Sequence, residues 1–283
     1  MPELPEVEIL ARHLRPLLRG KTIRNVVVRR ERATRPTSPR EFEKALSGAK
    51  ILGLSRRGKY LLFDLSKADS GQKKIGLLGH LGMTGRMFVA LKKEPLPKHA
   101  AIIFDLGKRN FVFEDYRYFG RMNLDLSPVQ KLGPEPLGKE FSPEMFAREL
   151  KRSRQPIKVK LLDQNLVAGI GNIYASEALF LSRISPKAGA NKLTFAQTKK
   201  LRRAIRDTLN RAIRFGSTVP LKTMSGKSGA LFYYGGDGED FYTKRLRIYN
   251  RAGKPCFRCG TKIRRITQAA RSTFFCPRCQ RPG

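Results

Sequence analysis

Negative charge is scarce in this chain. Against 58 Lys and Arg stand 23 Asp and Glu, a net charge of +35 over 283 residues. The basic excess runs along the whole sequence, so a basic tail or a solubilising coat does not account for it. Self-repulsion on that scale is best relieved by a polyanion, which points to nucleic acid. Long apolar runs are missing too. No stretch approaches 18 consecutive apolar residues, and no signal peptide precedes the first helical pattern, so the reading is a soluble protein of the cytosol. Cysteine is absent until the last 28 residues, where all four occur. No Ser/His/Asp arrangement, HExxH motif or internal repeat is visible. The length leaves room for two or three domains and a sizeable core.

What is present begins with MPELPEVE. Pro5 suits the first turn of a helix, with Glu6 and Glu8 favourable at its positive end. Val7, Leu10, Ala11, Leu14 and Leu18 then recur at helical spacing. Short apolar, β-rich runs follow: TIRNVVVRR, KYLLFDLS, KIGLLGHLGM, AAIIFDLG and RNFVFEDY. Turn residues separate them and no helices alternate with them, which predicts an antiparallel sandwich or barrel. LGPEPLGKEFSP reads as a linker. Helices are then predicted at SPEMFARELKRS and over residues 194–216, with Leu201, Ala204, Ile205, Leu209, Ala212 and Ile213 on one face. The segment from 217 to about 244 is irregular and glycine-rich. The tail 245–283 carries 11 Lys and Arg and no acidic residue.

Cys256-Phe-Arg-Cys259 and Cys276-Pro-Arg-Cys279 are two CxxC knuckles separated by sixteen residues. That spacing suits a closed, structural four-cysteine zinc site, whose metal supplies folding energy that so apolar-poor a tail lacks. A reducing cytosol argues against disulfides, and the lack of a βαβ context argues against a redox motif. The Arg-rich sequence between the knuckles reads as a hairpin. LVAGIGNIYASEALF is a poor dinucleotide motif, because its glycines follow a helical segment and Tyr174 occupies the third glycine position. It reads instead as two short helices joined by a glycine turn, the second beginning near Asn172. That turn serves either an anion or helix packing alone. SGKSG lacks the first glycine of a phosphate loop. His80, between a strand and a tight turn, is by itself more often structural than catalytic. Pro2, once Met1 is removed, would present a secondary amine with a pKa far below that of lysine. Such an amine forms a cationic iminium with a carbonyl-level carbon, and Glu3 beside it can shuttle protons.

Together these pieces resemble the formamidopyrimidine-DNA glycosylases. The likeness runs from PELPEVE through GHLGMTG, LGPEPL and LLDQNLVAGIGNIYASE to the cysteine knuckles. It implies an α+β, multidomain fold. An N-terminal antiparallel β-sandwich with its leading helix would cover 1–131 and a helix-two-turn-helix domain 132–244. A β-hairpin zinc finger would cover 245–283, with one structural zinc on Cys256, Cys259, Cys276 and Cys279. It also implies a bifunctional glycosylase and abasic-site lyase. Such an enzyme removes 8-oxoguanine and formamidopyrimidines from duplex DNA by β,δ-elimination, as a monomer. By resemblance Pro2 is the nucleophile, Glu3 the acid/base, and Lys59 the catalytic lysine of the sandwich. Glu6 supports the site among the DNA-facing residues. His80, Lys158, Asn172 and Arg271 hold phosphates. Met83, Arg117 and Phe119 fill the gap left by the everted nucleotide, offsetting an extrusion cost of a few kcal/mol.

Two departures stand out. The family's DPRRFG is here Asp115-Tyr-Arg-Tyr-Phe-Gly120, and residues 219–242 lack its GKPGYF-like pattern. In the family that loop covers the flipped base, so lesion choice is expected to lie there. The alternatives are an endonuclease VIII-like enzyme for oxidised pyrimidines, which usually begins PEGPE, and a non-catalytic basic zinc protein that binds DNA. Retention of Pro2, Glu3 and Lys59 speaks against the latter.

Overall fold

The computed structural model describes residues 2–67, 73–216 and 245–281. These fall into two compact units, residues 2–130 and residues 131–216 with 245–281. No helix among the described residues is long and apolar enough to cross a membrane.

The first unit opens with helix α1, Leu4–Leu18. Its predicted stripe of Val7, Leu10, Ala11, Leu14 and Leu18 is buried throughout. Strand β1 (Asn25–Val28), helix α2 (Pro39–Leu46) and strands β2 (Lys50–Arg57), β3 (Tyr60–Lys67) and β4 (Lys73–His80) follow. Strands β5 (Arg86–Leu91), β6 (Ala100–Asp105), β7 (Arg109–Glu114) and β8 (Arg121–Asn123) come next, and a short helix α3 (Ser127–Gln130) ends the unit. The strands form two four-stranded antiparallel sheets, ordered β1-β6-β7-β5 and β2-β3-β4-β8. Aromatic rings join them: Phe63 of β3 lies 5.7 Å from Phe111 of β7, which stacks on Phe104 of β6 at 5.2 Å. The sandwich is the predicted one, but its sequence signal was incomplete. Strand β2 is interrupted by a bulge between Ile51 and Gly53, which spoils its alternation. Strand β8 has three residues. Helix α2 begins at a Ser38 cap whose Oγ accepts from Glu41 N at 3.2 Å.

The second unit contains α4 (Pro143–Lys151), α5 (Ile157–Leu161), α6 (Asn172–Ser182) and α7 (Phe195–Gly216), then strands β9 (Arg264–Gln268) and β10 (Arg271–Phe275). The expected α7 face is buried, and Ser142 caps α4 by accepting from Met145 N at 3.1 Å. The hairpin β9–β10 packs through Ile263, Phe274, Cys256 and Cys276 onto Phe180 of α6. Arg258 donates to the last carbonyls of that helix, at Phe180 and Leu181. A cation there complements the negative helix end.

Candidate active site and nucleic-acid contacts

Pro2 and Glu3 are buried at the start of α1. Glu3 is the N-cap, and it forms a capping box with Glu6. Glu6 Oε2 accepts from Glu3 N at 2.8 Å, so this buried carboxylate orients the backbone behind Pro2. Lys59 sits in a two-residue turn between β2 and β3, closed by the Arg57–Tyr60 pair. Gly58 takes φ +56° there, a conformation that favours glycine. Arg56 joins the two pieces. Its Nε donates to Glu8 Oε2 of α1 at 2.8 Å, and its Nη1 donates to Gly58 O at 3.0 Å. Burial raises the Glu8 pKa, but hydrogen bonds and charge from Arg56 and Arg12 outweigh it and hold the carboxyl below its usual range.

His80 ends β4 opposite Tyr60, the residue after Lys59, with ring centroids 4.7 Å apart. Burial, then the charges of Lys59 and Arg121, lower its pKa to about 4. The imidazole is therefore neutral at pH 7. Its Nδ1 accepts from Gly82 N at 3.2 Å, which assigns the proton to Nε2 and makes that atom a donor.

Met83, Arg117 and Phe119 lie exposed on two neighbouring turns. Asp115 is the knot between the turns. Its Oδ1 accepts from Thr84 Oγ1 at 2.6 Å and Arg117 N at 3.1 Å, and its Oδ2 accepts from Gly120 N at 2.7 Å. The turns approach so closely that a Cβ on Gly82 would lie 2.6 Å from Gly120 N. The Arg117 guanidinium stands 5.2 Å over the Phe119 ring. Three side chains able to enter a base stack are thus held on one rigid support.

Lys158 of the second unit, which by resemblance holds a phosphate, has a fully buried side chain. A lysine ammonium has three donors, and three acceptors surround it. They are Asn172 Oδ1 at 2.5 Å, Thr273 Oγ1 at 2.7 Å and Ser272 O at 3.1 Å. The Asn172 side chain is equally committed, since its Nδ2 donates to Ser272 O at 3.0 Å. Lys158 is buried and Asn172 half-buried, and both tie the start of α6 to β10. Arg271 beside them is exposed.

Several residues with structural parts at the site gave no separate signal in the sequence. Glu8, Arg56, Thr84 and Asp115 all lie inside or next to the motifs, but nothing local says which partner each one meets. Gln164 staples the glycine turn, donating to Leu162 O and Ile170 O and accepting from Gly169 N. Glu177, buried on α6, accepts from the backbone N–H groups of Arg247, Ile248 and Tyr249. The stretch 219–242, expected to choose the lesion, lies outside the described residues.

The four free cysteine sulfurs lie within 4.8 Å of one another, with three Sγ–Sγ separations of 3.5, 3.5 and 4.0 Å. A tetrahedral zinc with Zn–S near 2.3 Å needs edges of about 3.8 Å. The cluster fits one zinc held by Cys256, Cys259, Cys276 and Cys279, and four thiolates leave no open position for catalysis.

Family models agree with this geometry. Residues 1–122 match the formamidopyrimidine-DNA glycosylase N-terminal domain, 132–223 the H2TH domain of the same enzymes, and 253–282 the zinc finger found in FPG and IleRS. The formamidopyrimidine-DNA glycosylase of Carboxydothermus hydrogenoformans is 39% identical over 281 residues, covering 99% of this chain and 100% of the relative. The Lactococcus lactis enzyme in complex with abasic-site DNA superposes with a TM-score of 0.86 at 34% identity, over 99% of each chain. A G226P mutant of that enzyme bound to Fapy-dG DNA gives 0.86 at 33% identity, over 99% of this chain and 100% of the other. With the same sandwich, the same H2TH segment and the same cysteine finger along its whole length, the chain belongs to the formamidopyrimidine-DNA glycosylase family.

Proposed function

We propose that this protein is a bifunctional DNA glycosylase and abasic-site lyase acting on oxidised purines in duplex DNA. The observation that carries the reading is the Arg56 bridge. It ties the turn bearing Lys59 to the first turns of α1, whose N-cap is Glu3 and whose leading residue is Pro2. In this reading the secondary amine that Pro2 presents once Met1 is removed, the Glu3 carboxyl and the Lys59 ammonium serve one site.

In this reading the Pro2 nitrogen attacks the anomeric carbon of an extruded nucleotide. The N–C1′ bond forms as the glycosidic bond breaks, and the base leaves with a proton. Glu3, buried at the start of α1, moves protons at the sugar. The C1′–O4′ bond then breaks as Glu3 protonates O4′, which opens the sugar ring and leaves an iminium between the Pro2 nitrogen and C1′; this acidifies C2′, so a proton is lost there and the 3′ phosphate departs. A second elimination releases the 5′ phosphate. Glu6 acts behind this step by fixing the backbone of Glu3. The neutral His80 donates Nε2–H to a phosphate, and Arg271 offers a charge to another. Met83, Arg117 and Phe119 occupy the space vacated by the nucleotide. Lys158 and Asn172 serve by holding the start of α6 against β10. Abasic-site and Fapy-dG DNA in the structural relatives support the substrate class. The protein is read as a cytosolic monomer.

The test is borohydride trapping on duplexes that carry a single 8-oxoguanine, a single oxidised pyrimidine or an abasic site. A covalent adduct through Pro2, lost in Pro2→Gly and strongest with the purine lesion, is expected. Adducts confined to the pyrimidine lesion would move the enzyme to the endonuclease VIII-like alternative. An adduct through a lysine, with Pro2 dispensable, would remove the assigned nucleophile.

A further inference from the structure

The turn after β7 departs from the family pattern at two tyrosines, and one of them is conformationally unusual. Tyr118 has φ +56°, in the left-handed region. An aromatic residue pays on the order of 1–2 kcal/mol to sit there, so its surroundings must hold it. They come from three separate places in the sandwich. Arg30, just past β1, places its guanidinium 5.2 Å over the Tyr118 ring. His99, just before β6, meets the ring edge-on at 6.4 Å, with its Nδ1 3.4 Å from the hydroxyl. Arg121 of β8 donates to Tyr118 O at 2.9 Å and to Gly120 O at 2.7 Å. His99 is fixed in turn, since its carbonyl accepts from Asp115 N at 3.2 Å.

The consequence lies in the residues on either side. With Tyr118 half-buried in this grip, Arg117 and Phe119 are both exposed, and the guanidinium lies over the ring. Left alone, an exposed turn with such side chains would sample many orientations. A side chain entering a base stack must instead arrive at a set angle, and preorganisation lowers the cost of that entry. The Asp115 knot fixes the turn's backbone. Tyr118 anchors the turn sideways to Arg30 and His99, and Tyr116 adds an edge-on contact with His99 at 6.5 Å.

We propose that Tyr118, clamped between Arg30 and His99, is the positioning residue that sets the entry angle of Arg117 and Phe119 into the duplex. The inference rests on the wedge reading given above. It adds that in this chain the wedge is aimed by an aromatic–cation clamp built around the tyrosine.

The experiment compares single-turnover excision of 8-oxoguanine from a duplex with cleavage at an abasic site placed opposite a gap, where no stack has to be opened. Nucleotide extrusion is followed in parallel by 2-aminopurine fluorescence next to the lesion. Tyr118→Gly accepts the positive φ and removes the clamp. The ratio of the two rates should fall about tenfold or more, with a smaller fluorescence amplitude, as expected for a misaimed group. Tyr118→Phe keeps the ring and should rescue most of that loss. Arg30→Gln and His99→Leu, which weaken the clamp from outside the turn, should lower the same ratio if Tyr118→Gly fails to fold. Phe119→Ala separates the two ideas. If Phe119→Ala impairs extrusion while Tyr118→Gly and the clamp variants do not, the positioning role is overturned and the wedge stands. If Phe119→Ala leaves extrusion intact, the wedge reading falls and the clamp with it. Equal losses on both substrates in Tyr118→Gly would reduce the residue to fold maintenance and overturn the proposal.

Discussion

In the sandwich, Glu8 faces two guanidinium groups; in the helical unit, Glu177 faces three backbone N–H groups. Burial opposes ionisation at both. At Glu8 the arginines win and the pKa falls. At Glu177 burial outweighs the bonds from Tyr249, Arg247 and Ile248 and the charge of Arg247, and the pKa rises. The same contrast runs through the cations. Arg56 in the sandwich is paired with a carboxylate, whereas Lys158 in the helical unit is buried among neutral acceptors. Charge pairs aim side chains in the first unit, and dipoles clamp segments together in the second. The second unit adds a metal cluster, because the hairpin around Cys256 and Cys276 has a small apolar core of its own.

The comparison breaks most visibly at the metal. Cys276→Ser, or a strong chelator, should unfold β9–β10, since structural zinc is worth about 10 kcal/mol or more to a small domain. Hydrogen exchange should then lose protection over residues 264–275 and keep it in β3, β4, β6 and β7. Metal analysis of the untreated protein should give one zinc per chain. A sandwich that loosens together with the hairpin would erase the distinction between the units.

Lys158→Met should be the next largest perturbation. It strips a donor from each of three acceptors, among them the buried Thr273 hydroxyl, and should cost about 3 kcal/mol of unfolding free energy in denaturant titration. It should weaken DNA binding without changing the salt dependence. Arg271→Ala should instead flatten the slope of log K against log salt by about one, as expected for a lost phosphate contact. A flattened slope in Lys158→Met would restore that residue as a direct phosphate ligand.

Acid should act on the two units in opposite directions. His80 and Glu8 have lowered pKa values in the fold. The unfolded chain therefore binds protons there first, and their stabilisation is lost as pH falls. For His80 the window runs from about 6.5 down to about 4. Glu177 is raised, so its contribution is fully present below the ordinary carboxylate value and is lost as pH rises through the folded pKa. Exchange at the amides of Ile248 and Tyr249, corrected for intrinsic rates, should slow as pH falls toward the ordinary carboxylate value while the β2–β3 hairpin loses protection. His80→Gln should shrink the sandwich's share of that loss.

The smallest effect is expected at the hairpin tip. Ala269 and Ala270, between β9 and β10, take φ +48° and +57°, the backbone of a type I′ turn built from residues that disfavour it. Replacing the pair with Asn-Gly should stabilise the hairpin by about 1 kcal/mol in the zinc-loaded protein. No gain in thermal midpoint would mean that the strain is already relieved by the pairing of Arg271 with Gln268.

Much of this was legible beforehand where spacing carries the information. The stripe on α1, the face of α7, the cap of α4 and the four cysteines are all short-range patterns, and each forms as read. Strands β5 and β8 were illegible because one is hidden behind the GHLGMTG turn and the other is too short to alternate. The burial of Lys158 was illegible for a different reason: nothing within ten residues announces its acceptors.

By itself the sequence determined the chemistry available: an amine at Pro2, carboxyls at Glu3 and Glu6, a lysine in a glycine turn, four thiolates at metal spacing and an excess of positive charge. It also determined the local elements, because helix and strand periodicity are set by neighbours a few residues apart. Only the tertiary structure decided which groups face outward. The partners of Lys158 at Ser272 and Thr273 are 114 and 115 residues away in the chain, and Arg56 reaches Glu8 across 48. Burial is conferred by segments that arrive from elsewhere in the chain. The same ammonium group can therefore be a phosphate ligand or an internal clamp, according to what packs over it.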